Sequence, residues 1–135
     1  MTRSATCLAV AAALLAAPLT PAMSQAPQLN TIKDVFIRLY SCWEPPLRAN
    51  PKSTVSVIVS FRRDGSILGQ PKITYESEEA NDNDRLLYRI AIMKALERCT
   101  PLSFTDTLGG AVAGHPFALR LGSKKYTPSN KERDA

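Results

Sequence analysis

The sequence lacks several features that metal sites and enzymes commonly use. It contains one histidine, His115, and three cysteines that never fall in a Cys-x-x-Cys pair. One histidine and isolated cysteines do not supply the four ligands of a zinc site, and the thiol redox motif is missing. The Gly-x-Ser-x-Gly turn that presents a nucleophilic serine is missing as well. These absences argue against a metal, a cofactor and a catalytic residue.

Aromatic residues are scarce, at 7% of the chain. The formal net charge is +5, but the basic residues are spread out and do not alternate with aromatic ones. Proteins that bind nucleic acids combine a basic stripe with rings on which bases stack. We therefore predict no nucleic-acid partner.

The apolar run near the N-terminus, residues 5–19, is shorter than the roughly 20 residues needed to span a bilayer. Arg3 precedes it, and the small residues Ala22 and Ser24 follow it. This pattern is typical of a secretory signal peptide. We predict a leader over residues 1–24, cleaved after Ser24, and a protein in the periplasm. An uncleaved membrane anchor is the alternative.

The rest of the chain has the length of one ordinary domain. We predict a short N-terminal segment at 25–29, a folded domain at 30–122 and a disordered, charged tail at 123–135. The folded part holds two cysteines, and an even number in a small secreted domain favours a Cys42–Cys99 disulfide. A metal-binding pair or a nucleophilic thiol is the alternative.

The domain starts with a predicted helix. Apolar residues recur every three or four positions between residues 31 and 43, which places them on one helix face. Pro45 ends the helix because proline lacks the N–H donor and restricts the residue before it. Phe36 and Tyr40 are interpreted as packing residues on the buried face.

A predicted hairpin follows. Residues 53–61 alternate between apolar and polar side chains, as a half-buried strand does. Asp64-Gly65 predicts the turn to a second strand. Pro71 places that second strand at an edge of the sheet, since proline cannot donate to a ladder.

In the second half of the domain, the sequence predicts another helix and a last strand. The acidic loop at 76–83 lacks the glycine and the alternating ligands of a calcium loop, so we interpret it as a helix cap. A helix follows over 84–98. Its predicted buried band consists of Leu87, Ile90, Ala91, Lys94, Ala95 and Arg98, widened by Leu86 and Met93. A flexible connection at 108–111 leads to a strand over 116–121.

The element order α-β-β-α-β predicts an α+β fold. A right-handed crossover returns the last strand to the sheet beside the first strand. The predicted strand order is second, first, third, with two helices packed on one face of a three-stranded antiparallel or mixed sheet. The third strand is then an edge strand with unpaired backbone groups.

Three short motifs mark the ends of these elements. They are Trp43-Glu44-Pro45-Pro46, Arg63-Asp64-Gly65-Ser66-Ile67 and the stretch from Ala95 to Pro101. Together they resemble the helix stop, the hairpin turn and the second-helix ending of the C-terminal domain of the periplasmic TolA and TonB proteins. The resemblance implies a non-catalytic protein-binding domain that acts in cell-envelope integrity or transport. Without the membrane helix and spacer of those proteins, it implies a soluble periplasmic adaptor.

We expect the domain to bind a segment of a periplasmic or outer-membrane protein by strand addition at the third strand. The predicted binding residues are Phe117, Ala118, Leu119, Arg120 and Leu121. The backbone supplies most of the affinity and Arg120 some specificity, and a proline at Leu119 is predicted to block the pairing. In the alternative interpretation, Arg120 is simply solvated and the tail or a second copy covers the edge.

Two other function classes stay open. A small secreted hydrolase or redox enzyme would use His115 together with Ser103, Thr105 or Asp106. A structural envelope protein or a secreted inhibitor would need no catalytic group. We predict no small-molecule substrate, and a protein that is a monomer or a weak dimer.

Overall fold

The computed structural model of the protein describes residues 16–18 and 27–125. The predicted leader lies outside these residues except at 16–18, and the predicted tail is described only as far as Lys125. The elements in chain order are α1 (Ile32–Ser41), β1 (Thr54–Ser60), β2 (Lys72–Glu76), α2 (Asp82–Cys99), α3 (Asp106–Val112) and β3 (Pro116–Gly122). No helix within the described residues is long and apolar enough to cross a membrane.

The three strands form one sheet in the order β2-β1-β3, and both neighbouring pairs are antiparallel. This confirms the α+β class and the predicted strand order. The central strand β1 alternates as expected: Val55, Val57, Val59 and Phe61 are at most 2% exposed. They form the core with the buried sides of the helices. The sheet therefore has one covered face and one face in contact with solvent.

Helix α1 begins with a capping box at Thr31. The Thr31 hydroxyl accepts the N–H of Asp34 at 3.1 Å, and the Asp34 carboxylate accepts the N–H of Thr31 at 3.0 Å. These bonds satisfy two backbone donors that the first helical turn leaves without partners. The hydrogen bonds from Thr31 hold the pKa of Asp34 below its ordinary value. Val35 and Leu39 bury the helix against the sheet.

The face of helix α2 that is buried in the core differs from the predicted one. Its buried residues are Asp84, Tyr88, Ile92, Ala95, Leu96 and Cys99. Of the predicted band, Ala95 is buried and Ala91 packs against the core, but Leu86, Ile90 and Met93 are wrong, since they are 55%, 44% and 57% exposed. Apolar residues occur all round this helix, so their spacing does not select one face. Tertiary contacts select it: the Tyr88 hydroxyl donates to the Ser53 carbonyl at 3.0 Å, and its ring lies 5.8 Å from that of Trp43.

A third helix, α3, replaces the flexible connection predicted at 108–111. Its first turn is capped by Thr105, whose hydroxyl accepts the N–H of Leu108 at 3.3 Å. Gly109 is required because a Cβ there would lie 2.8 Å from the Arg63 carbonyl oxygen. Burial of Leu108 and Val112 in the core offsets the low helix propensity of glycine. Gly109 therefore allows close packing against Arg63, and the pair of glycines does not prevent helix formation.

The predicted disulfide between Cys42 and Cys99 is present, with Cα atoms 6.0 Å apart. It joins the residue after α1 to the last residue of α2. The Arg98 guanidinium adds a hydrogen bond to the Cys42 carbonyl at 2.8 Å. The C-terminal ends of the two long helices are therefore fixed to each other.

Asp84 ties the loop before β1 to the start of α2. This 4%-exposed carboxylate accepts the N–H groups of Asn50 and Asn81, each at 3.2 Å. Asp84→Asn should lower the free energy of unfolding by about 2 kcal/mol, because an amide has one acceptor oxygen and leaves one N–H unsatisfied. Urea denaturation measures this. The exposed Asp82→Asn is the control and should cost less than about 1 kcal/mol. Equal losses would contradict the role assigned to the buried contacts.

Candidate protein-binding edge

Strand β3 forms one outer edge of the sheet. It pairs with β1 over all seven of its residues in one unbroken register, from Thr54↔Gly122 to Ser60↔Pro116. Among residues 27–125 no strand pairs with its other side. A long, flat and unpaired strand of this kind is a template for adding a further strand.

The five predicted binding residues point to opposite faces of the sheet. Phe117, Leu119 and Leu121 are 5%, 3% and 4% exposed and belong to the core. Only Ala118 and Arg120 present their side chains to solvent. The three apolar residues therefore hold the strand in place, and they lie too deep for an outside partner to contact their side chains fully.

The backbone N–H and C=O groups of β3 point alternately toward β1 and toward the open edge. The N–H of Arg120 bonds Tyr40 in α1 and the carbonyl of Gly122 bonds Trp43 just after α1, both on the side away from β1. Residues two apart in a strand direct their N–H and C=O to the same side. Pro116 and Ala118 thus face the open edge, and Phe117 and Leu119 face β1. A proline at Leu119 would break the sheet itself, so Ala118 is the position at which to block pairing.

Side chains from α1 and from the residues just after it occupy the C-terminal half of the edge. The Trp43 indole N–H donates to the Gly122 carbonyl at 2.9 Å, and the Tyr40 hydroxyl lies 3.4 Å from the N–H of Arg120. The groups that remain without a hydrogen-bond partner among the described residues are the N–H and C=O of Ala118 and the carbonyls of Pro116 and Arg120. The open part of the edge is its N-terminal half.

The role of Tyr40 and Trp43 at this edge was not predicted from the sequence. Phe36 and Tyr40 were predicted to be packing residues, and both are partly buried. One signal was present: a buried indole N–H needs an acceptor, and Trp43 is 1% exposed. Nothing in the sequence indicated that the acceptor would be the last residue of β3.

An apolar stripe of α1, formed by Ile32, Phe36 and Tyr40, runs beside the edge. The Phe36 ring lies 5.4 Å from that of Phe117 and 6.5 Å from that of Tyr40. Ile32, one turn earlier, is 56% exposed. On the core face of the sheet, the open half of the edge is therefore bordered by apolar side chains.

The opposite edge, at β2, is less suited to strand addition. Pro71 comes directly before the strand, Lys72 begins it, and a bulge interrupts its register with β1 between Ser56 and Val57. Proline, lysine and bulges are the features by which proteins protect edges from pairing. Glu76 at its end is held by Arg85 at 3.3 Å and by Arg89 at 2.6 Å.

The residues considered for catalysis are not drawn together. Thr105 caps α3 and contacts Asn30, and within residues 27–125 no hydrogen bond joins the His115 side chain to Ser103, Thr105 or Asp106. The acidic loop supplies the α2 cap Asn81 and the Glu76 ion pairs. In the described part of the chain no three His, Cys, Asp or Glu residues form a group able to hold a metal ion.

Comparison with family models matches residues 25–125 to the family described as "Uncharacterised conserved protein UCP034077". The chain belongs to this family. The assignment to the TolA and TonB C-terminal domains is therefore wrong. The three motifs behind it describe a helix stop, a hairpin turn and a helix end, which any chain with this element order needs. A search of the curated proteins found no match, and a search of the solved structures found none.

Proposed function

We propose that the protein is a non-catalytic binding module that takes up an extended segment of another protein as a fourth strand beside β3. The observation that carries this is the pair of open backbone groups on Ala118, set in an unbroken edge strand. Each new backbone hydrogen bond contributes about 1 kcal/mol net. The apolar stripe of α1 adds burial for side chains on the core side of the segment.

We place this binding in the periplasm. Disulfides persist in oxidising compartments, and the Cys42–Cys99 bond fits such a location. The leader predicted from the sequence supports the same location.

Strand addition is tested by panning a random-peptide display library on the purified protein. Selected peptides should shift the Ala118 amide signal in NMR spectra. Ala118→Pro removes the outward N–H and should lower their affinity at least about tenfold, equal to about 1.4 kcal/mol. Ala118→Thr keeps the N–H and is the matched control.

Three results would contradict the proposal. In the first, no peptide selected from the library shifts the Ala118 amide signal. Another is a peptide bound equally by the proline variant, provided its circular dichroism spectrum is unchanged. The third is concentration-dependent self-association that Ala118→Pro abolishes, since a second copy would then occupy the edge.

A further inference from the structure

The open edge of β3 also restricts which peptide segments can pair with it. This inference rests on the proposed function. Ala118 is the one β3 residue whose N–H and C=O both remain open among residues 27–125. In an antiparallel pair a single partner residue bonds both groups, whereas in a parallel pair they bond two different residues. Parallel pairing is also slightly less stable per residue than antiparallel pairing. The geometry thus favours an antiparallel segment centred on Ala118.

The register follows from this centre. The residue two places before the centre of the segment lies opposite Arg120, and the residue two places after it lies opposite Pro116. Residues opposite each other in a sheet share a face. The central residue and the one facing Arg120 therefore lie on the solvent face, and the residues next to the centre lie on the core face.

The solvent face carries an uncompensated positive charge at Arg120. Its side chain is exposed and forms no ion pair or hydrogen bond within the described residues. Across the sheet it lies in a row with Ser56 and Tyr75, neither of which is charged. A carboxylate on the incoming segment would meet this guanidinium directly, whereas an ammonium group would be repelled.

The core face favours apolar side chains. A residue opposite Phe117 lies next to the ring contact between Phe117 and Phe36, 5.4 Å apart. A polar side chain there would lose water without gaining a partner. The residue opposite Ala118 lies on the solvent face, where a polar or small side chain stays hydrated.

We infer that the β3 edge recognises extended segments with the pattern acidic, apolar, small or polar, apolar, read from N- to C-terminus, with the acidic residue opposite Arg120. The partner class is a protein with an exposed, acidic and strand-forming segment. Specificity comes from one charge pair and two apolar contacts, and most of the affinity comes from the backbone.

The panned peptides test this inference as well. Edge-binding peptides should be enriched in this pattern, and replacing the acidic residue by glutamine should weaken binding about threefold, as expected for an exposed ion pair. Replacement by lysine should weaken it further. Arg120→Glu should reverse the order, so that the lysine peptide binds more tightly than the acidic one. Lys94→Glu makes the same charge change on the exposed surface of α2 and should leave the order unchanged.

The outcomes separate the two proposals. If no peptide acts on the Ala118 amide, the proposed function itself fails. If peptides act on Ala118 but show no acidic preference, or if Arg120→Glu leaves their order unchanged, strand addition stands and the acidic pattern is overturned. If Lys94→Glu alters the order as much as Arg120→Glu, the preference reflects overall charge, and the role of Arg120 is overturned.

Discussion

Gly65→Ala should destabilise the protein by about 3–5 kcal/mol, from the strain of a left-handed alanine together with overpacking. Gly65 lies in the hairpin turn with φ +86°, and a Cβ there would fall 1.8 Å from the carbonyl oxygen of Leu102. The chain would have to separate the turn from that segment. It would then lose the hydrogen bond from the Leu102 N–H to the Gly65 carbonyl, 3.0 Å long. Chemical denaturation followed by circular dichroism measures the loss.

Gly69→Ala is the matched control. Gly69 also has a positive φ, +70°, but a Cβ there would have nothing within 4 Å. It should cost only the conformational strain, about 1–2 kcal/mol. A similar loss for both variants would show that the approach of Leu102 does not limit the fold. If Gly65→Ala does not accumulate as folded protein while Gly69→Ala does, the prediction is also met.

Secondary structure was predicted well from the sequence wherever the hydrophobic pattern was compatible with a single element. β1 shows strict alternation, and α1 has one apolar stripe ended by prolines, so both elements were found within two residues of their bounds. The strand order followed from connection rules and from the position of Pro71. These features depend on local periodicity and chain connectivity, which the sequence contains directly.

The sequence failed where several local solutions had similar energy. α2 has apolar residues on all sides, and tertiary contacts such as those of Tyr88 with Ser53 and Trp43 select its buried face. α3 contains two adjacent glycines, and its stability depends on the close approach of Arg63, a residue 46 positions before Gly109. Such long-range contacts override propensity and cannot be read from a window of the chain.

The candidate site was predicted in part. Connectivity identifies β3 as an edge, but it does not show which backbone groups on that edge stay open. That depends on the positions of Tyr40 at the end of α1 and of Trp43 just after it. The motif resemblance indicated the wrong family, because short turns and helix ends reflect local geometry and carry little information about descent.

Tyr40 and Trp43 flank Cys42, so the disulfide and the edge are physically connected. The bond to Cys99 fixes the end of α1, and the two aromatic side chains on either side of it reach the β3 backbone. In this arrangement the covalent link helps to hold the two side chains that cover part of the edge. The stability of the link and the shape of the proposed binding edge are therefore expected to change together.

Replacing both Cys42 and Cys99 by alanine should lower the free energy of unfolding by about 4 kcal/mol, the chain-entropy value for a link 57 residues apart. The total free energy of unfolding of a small domain is only about 5–15 kcal/mol, so the variant should be close to unfolding at 37 °C. Thermal and urea denaturation measure the loss.

A dithiol reductant should destabilise the natural protein by a similar amount and leave the double variant unchanged. A loss below about 1 kcal/mol would mean that the helix ends are held by other contacts, such as the hydrogen bond from Arg98 to Cys42. The Arg120 and Gly122 amide signals would then keep their positions in the variant, whereas loosening of α1 should shift both.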